Sequence, residues 1–134
     1  MARKTECYVD MSAFIAFLDR SDSYYPLFRK SFSKPPGLVT SALLAAEGHG
    51  WFLRRYDVHR AVQFVAFLDM LSALKVLPFG GNELITTARF VKRYADQKLT
   101  LADAHRLVIM RNRRIATCWS TDRHLALNGA TLVI

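Results

Sequence analysis

LTLADAHRLVIMRNRRIATCWSTDRHL, residues 99–125, is the stretch on which the fold turns. Thr100 has the hydroxyl of a helix N-cap, and Asp103 stands at the third helical position, where a carboxylate favours the helix dipole. Apolar spacing carries that helix to about Asn112. Ile115–Trp119 is then a short apolar run of strand character, bounded by Arg113 and Arg114 on one side and by Ser120, Thr121 and Asp122 on the other. Asp122 therefore ends a strand, and the carboxyl ends of strands are where open α/β sheets bind ligands.

Outward from this stretch, strands alternate with helices. Glu6–Val9 is a strand ending in Asp10, and Ser12–Leu18 has helical spacing. Asp22–Phe32 reads as a second amphipathic helix, with Tyr25, Phe28 and Phe32 on one side and Arg29 and Lys30 on the other. Lys34, Pro35, Pro36 and Gly37 break the chain before a second strand, Leu38–Thr40. Ser41 suits the N-cap of a helix from Ala42 to about Tyr56, which carries Glu47 in its second turn. Val58–Leu74 is predicted helical and apolar all the way round, so it is expected to be buried on more than one side, by the core and by a partner subunit.

Lys75–Pro78 is a third strand, and the Gly80, Gly81 and Asn82 turn opens a helix to about Ala95. After the 99–125 stretch, Arg123–Asn128 is a short helix and Thr131–Ile134 a fifth strand. The pattern predicts one α/β domain over residues 1–134, a central parallel five-stranded sheet flanked by helices on both faces. Right-handed crossovers put every strand's carboxyl end on one edge.

Bulk properties agree. The 134 residues, 51% hydrophobic and 22% charged, suffice for one core. No apolar run reaches the roughly 18 residues a membrane span needs; Ala61–Leu74 is interrupted by Asp69, and Glu6 and Asp10 interrupt any signal-peptide core. The expected location is cytoplasmic. Cys7 and Cys118 lie in apolar strands and are expected to be buried, reduced thiols, and no CxxC or HxxxH spacing suggests zinc. A net charge of +8, from 19 Lys and Arg against 11 Asp and Glu, favours a polyanionic partner such as nucleic acid.

Four acids share the predicted edge: Asp10 after the first strand, Glu47 and Asp103 in the first two turns of helices, and Asp122 after the fourth strand. Each has a second reading. Asp103 serves equally as a helix N-terminal acid, Asp122 as a turn residue or N-cap, Asp10 as a cap and Glu47 as a solvated helical charge. Glu47, however, lies among Leu43, Leu44, Ala45, Ala46, Trp51 and Phe52. Together the four would repel one another unless a cation were bound, and hard carboxylate oxygens suit Mg²⁺ or Mn²⁺.

At YVDMSAFIAFLD, TSALLAAE, LTLADA and STDRHL the chain resembles the PIN-domain ribonucleases, and among them the VapC-type toxins of toxin–antitoxin pairs. The resemblance implies a catalytic quartet of Asp10, Glu47, Asp103 and Asp122, with Asp10, Asp103 and Asp122 as metal ligands and Ser12 and Ser120 as second-sphere donors. It implies a metal-dependent endoribonuclease, RNA as substrate, a homodimer and a cognate antitoxin. Met11 stands where Thr or Ser is commoner, and Leu125 where an aromatic is commoner. Arg111, Arg113, Arg114 and Arg123 are candidate RNA-binding residues, with Arg20 and Arg54 further rim cations. His49, His105 and His124 are read as structural, and Trp51, Phe64 and Phe67 as core or interface. The alternatives are a non-catalytic PIN-like RNA-binding module and a PIN nuclease of RNA processing. A phosphoacceptor receiver domain is disfavoured, because no acid ends the third strand.

Overall fold

The structure, a computed structural model of the chain, describes residues 5–121 and the backbone of 131–133. The described elements are β1 (Glu6–Val9), α1 (Met11–Leu18), α2 (Tyr25–Ser33), β2 (Gly37–Ser41), α3 (Ala42–Arg55) and α4 (Val58–Met70). There follow β3 (Leu74–Leu77), α5 (Gly81–Arg93), a 3-10 turn (Ala95–Gln97), α6 (Leu101–Asn112), β4 (Thr117–Trp119) and β5 (Thr131–Val133). The predicted helix at Arg123–Asn128 lies outside the described residues, as do Asp122, Arg123 and His124.

All strand pairs are parallel, in the order β3-β2-β1-β4-β5. The chain steps from β1 outward to β3 and then returns past β1 to β4. This reversal makes the boundary between β1 and β4 the topological switch point, where a crevice opens at the carboxyl ends of the two strands. Right-handed crossovers then place α5 and α6 on the face opposite α1–α4. The central β1 is buried along Cys7, Tyr8 and Val9, as a strand covered on both sides must be. The edge strand β3 instead exposes Lys75 and Val76.

An aromatic cluster fills one side of the sheet. Phe32 stands edge-on to Trp119 with centroids 5.1 Å apart and to Phe67 at 5.6 Å, while Phe14 meets Phe64 at 5.8 Å. These contacts bring α1, α2 and α4 together over β4, and such pairs add to the area they bury. Gly48 is needed for this packing, because a Cβ there would lie 2.6 Å from both Met11 Sδ and a Phe64 ring carbon. Both cysteines are buried and neither is in a disulfide among the described residues, as expected.

Several boundaries differ from the sequence reading, and three of them have a local cause. α2 begins at Tyr25 rather than Asp22, because the Asp22 side chain accepts from the Tyr24 amide and its carbonyl accepts from the Tyr25 amide. Asp22 is spent on a turn, and Pro26 then suits the first helical turn. α4 stops at Met70, where Leu74 must join β3. β4 begins at Thr117, because Ile115 closes α6 instead of starting the strand. Nor is α4 buried on several sides: Ala61, Phe64 and Leu68 are buried, whereas Val58, Val62, Val65 and Met70 are exposed. Among the described residues no helix is long and apolar enough to cross a membrane.

Candidate active site

At the switch point Asp10 follows β1 directly, its amide donating to the Trp119 carbonyl of β4 at 2.9 Å. Two hydroxyls converge on its carboxylate. Ser12 Oγ, from the first turn of α1, and Ser120 Oγ, just past β4, each donate to Asp10 Oδ2 at 3.0 Å. The two oxygens are 3.0 Å from each other, and Ser12 Oγ accepts from the Thr121 amide at 3.0 Å. Each hydroxyl has a single proton, so two of the three contacts are satisfied at once. Both point to the same carboxylate oxygen, which fixes the Asp10 rotamer and leaves Oδ1 without a protein donor among the described residues.

Glu47 and Asp103 arrive on two helices that start at the same edge. Ser41 caps α3, accepting from the Leu43 amide at 3.0 Å, and its buried hydroxyl lies 2.5 Å from Nδ1 of buried His105 on α6. Burial holds His105 below the ordinary imidazole range, against a smaller upward pull from Glu83. The ring is therefore neutral near pH 7, and its Nδ1 can accept from Ser41. That buried hydrogen bond ties α3 to α6, and with them Glu47 to Asp103. His105 is thus structural, as the sequence reading has it.

On α6, Thr100 Oγ accepts from the Asp103 amide at 3.1 Å and the Asp103 carboxylate accepts from the Thr100 amide at 3.2 Å, a reciprocal capping box. Asp103 also faces the cleft. Its two readings are compatible, since one carboxylate oxygen can cap while the other looks outward.

Asp10, Glu47 and Asp103 line one cleft of about 430 Å³, together with Met11, Trp51 and Arg54. The Glu47 carboxyl is pushed above its ordinary 4.5 by burial first and by the negative charge of Asp103 second. No cation among the described residues opposes that rise. Glu47 is exposed over much of its surface, so solvent screens the effect. In a chain of net charge +8, a cleft lined by three carboxylates against a single arginine, Arg54, among the described residues is an unusual concentration of negative charge.

Three of the four predicted acids are thus brought together, along with Ser12 and Ser120; Asp122 is outside the described residues. Among those described, no group of three acids, histidines or cysteines forms a closed cage for a metal ion. The donor set fits an ion such as Mg²⁺, which takes one or two carboxylates directly and keeps several waters.

The basic candidates fall elsewhere. Arg113 forms a bidentate pair with Glu6 at 3.2 and 2.8 Å, at the amino end of β1, and holds the Glu6 carboxyl below its ordinary range. Arg111 stacks on Phe90. These residues and Arg114 lie at the far end of α6, about 15 Å of helix from Asp103. Trp51, expected in the core or an interface, packs against the core and also lines the cleft; the sequence reading did not set Gly50 beside Arg54, and the spacing 47, 50/51, 54 on one helical face was the available signal. It also missed Arg106, which is buried, donates to Met110 Sδ at 3.4 Å and has no partner for Nε and Nη2 among the described residues.

An open parallel α/β domain with carboxylates at its switch point is the class of protein defined here. The PIN domain profile matches residues 7–129, and the chain belongs to the PIN-domain family. No curated protein matches. Among solved structures, Mycobacterium tuberculosis VapC20, described as a sarcin-ricin loop cleaving toxin, superposes with a TM-score of 0.81 at 20% identity, covering 93% of this chain and 96% of that one. PAE2754 from Pyrobaculum aerophilum gives 0.63 at 22% identity over 99% and 93% of the two chains. Rickettsia felis VapBC2, bound to a fragment of its promoter DNA, gives 0.61 at 12% identity over 96% and 97%. At these identities the likeness concerns the fold.

Proposed function

We propose that this protein is a divalent-metal-dependent endoribonuclease and acts as the toxin of a toxin–antitoxin pair. The observation that carries the reading is the cleft itself: Asp10, Glu47 and Asp103 converge at the switch point, and among the described residues none of them forms a salt bridge. Such a site is incomplete without an external cation. Asp10 and Asp103 are the proposed direct ligands, joined by Asp122, with Glu47 acting through water. Ser12 and Ser120 hold Asp10 by its Oδ2 and leave Oδ1 to the ion. A bound Mg²⁺ or Mn²⁺ supplies Lewis acidity to the phosphoryl oxygens and to an attacking water. Glu47, on the same cleft, would hold that water or take its proton.

The structural neighbours support the toxin assignment: one is described as a sarcin-ricin loop cleaving toxin, and another is VapBC2 bound to a fragment of its promoter DNA. A cognate antitoxin and a second copy of the chain are the proposed partners. Arg111 and Arg114 would contact the RNA backbone away from the cut, Arg123 is a further proposed RNA contact, and Arg113 is engaged by Glu6.

Inducible expression of the wild type beside Asp103→Asn in a bacterial host, with growth curves and genome-wide mapping of new RNA 5′ ends, tests this. Growth arrest with a few discrete new ends, absent from the variant, is the expected result. Equal growth and no new ends for two folded proteins would reject the nuclease and leave a non-catalytic RNA-binding module.

A further inference from the structure

We propose that Arg54, folded back over the bare Cα of Gly50, is the cation that holds an RNA phosphate at the mouth of the acidic cleft. The inference rests on the ribonuclease reading above and names a substrate-binding residue for it. Glu47, Gly50, Trp51 and Arg54 recur at helical spacing on one face of α3, and all four line the cleft opposite Asp10 and Asp103. Helical side chains lean toward the amino end of their helix, so Arg54 leans toward the turn that carries Glu47.

Gly50 makes room for that pose. A Cβ built there would lie 3.0 Å from one Arg54 terminal nitrogen, 3.8 Å from its Cζ and 3.9 Å from the other, and these are the nearest atoms it would meet. The contrast with Gly48 is direct. There a Cβ would strike Met11 and Phe64, so Gly48 belongs to the core, whereas the only neighbour crowding Gly50 is the guanidinium of Arg54.

The arginines nearest to it in sequence are engaged: Arg55 and Arg60 both lie against the Tyr56 ring, at 5.2 and 5.3 Å. Arg54 is exposed and forms no salt bridge among the described residues, although it shares a helix face with Glu47. A guanidinium left unpaired beside a carboxylate cleft presents its planar donors to an incoming phosphate, which it can grip bidentately. It also offsets the repulsion that the cleft acids exert on a polyanion as it approaches.

The test uses the purified full chain, a fluorescein-labelled single-stranded RNA of mixed sequence, and anisotropy titrations across a salt series in Mg²⁺ and in EDTA. Metal-dependent cleavage is followed in parallel. Arg54→Gln is expected to bind roughly 3- to 10-fold more weakly, with the salt dependence reduced by about 0.7, the value of one phosphate contact on a single strand. Arg54→Lys should recover the slope and part of the affinity. Gly50→Ala should weaken binding in the same direction with a melting temperature no lower than wild type, because alanine favours the helix while its methyl displaces the guanidinium. That combination separates a ligand role from a structural one. Wild-type affinity and slope in Arg54→Gln, with wild-type protein that binds and cleaves, would overturn the assignment alone. Wild-type affinity in Gly50→Ala would overturn the seating by glycine. A wild type that neither binds nor cleaves RNA would overturn the ribonuclease reading and Arg54 with it.

Discussion

Glu47 is the residue at which the cost of the site can be measured. Its carboxyl is raised above 4.5 by burial and by Asp103, so the folded chain holds that proton more tightly than the unfolded chain does. By linkage the resulting penalty is absent below the unfolded value and grows as pH rises through the folded one. At pH 7 in EDTA, Glu47→Gln should therefore melt higher than wild type, by less than about 1 kcal/mol because solvent screens the charge, and the advantage should vanish near pH 4. Mg²⁺ should stabilise the wild type by mass action and the variant less, while the variant loses cleavage. Thermal unfolding at the two pH values, with and without Mg²⁺, checks this. A variant that melts lower at pH 7, or equal gains from Mg²⁺, would mean that Glu47 is not part of a cation site. At this scale the sequence already pointed to Asp10, Glu47 and Asp103, because strand ends and helix starts share one edge. It did not reveal that Ser12 and Ser120 meet on a single carboxylate oxygen, or that Arg106 is buried. Those facts depend on how β4 and α6 dock, and no local pattern encodes it.

Among the elements, α6 shows why strand and helix existence was readable where ends were not. Its start is written in Thr100 and Asp103, which form the expected capping box. Its end carries no glycine. Instead the Ile115 amide reaches back to the Met110 carbonyl at 2.8 Å and the Arg114 amide to Arg111 at 3.3 Å, with Arg114 at φ 54°. This is a Schellman closure with an arginine at the left-handed position that glycine ordinarily takes. The sequence reading extended the strand back to Ile115 because an apolar residue after two arginines resembles a strand start, whereas here it serves as the hydrophobic end of a helix cap. A left-handed non-glycine residue costs roughly 1–2 kcal/mol. Arg114→Gly should therefore raise stability by about 1 kcal/mol in chemical denaturation, with cleavage retained if the catalytic edge is independent of this end of α6. A destabilised Arg114→Gly would show that the arginine side chain contributes more than its backbone strain costs.

At the scale of the molecule, the outer side of α4 is an apolar stripe that the core does not cover. α4 buries Ala61, Phe64 and Leu68 and exposes Val58, Val62 and Val65 by 65%, 56% and 46%, a second stripe about a quarter-turn from the first. Leu53 and Tyr56, at the end of α3, are exposed as well. The sequence pattern found the helix and named a partner subunit for its outer side, but within one copy of the chain that side is exposed, since hydrophobicity records that a face favours burial and not what covers it. Valines at helical spacing on a basic domain need a partner to be shielded from water, and a second copy of the chain can bring an identical stripe across a twofold axis. Two copies each carrying net charge +8 repel, so such a dimer must rest on this apolar contact. Val62→Lys should then convert a dimer into a monomer by light scattering after gel filtration, with little change in protomer melting, because an exposed substitution of this kind usually shifts stability by no more than about 0.5 kcal/mol. The same mass for variant and wild type would exclude the stripe as the dimer contact and assign it to the antitoxin, in which case Val62→Lys should instead weaken capture of that partner while leaving RNA cleavage intact.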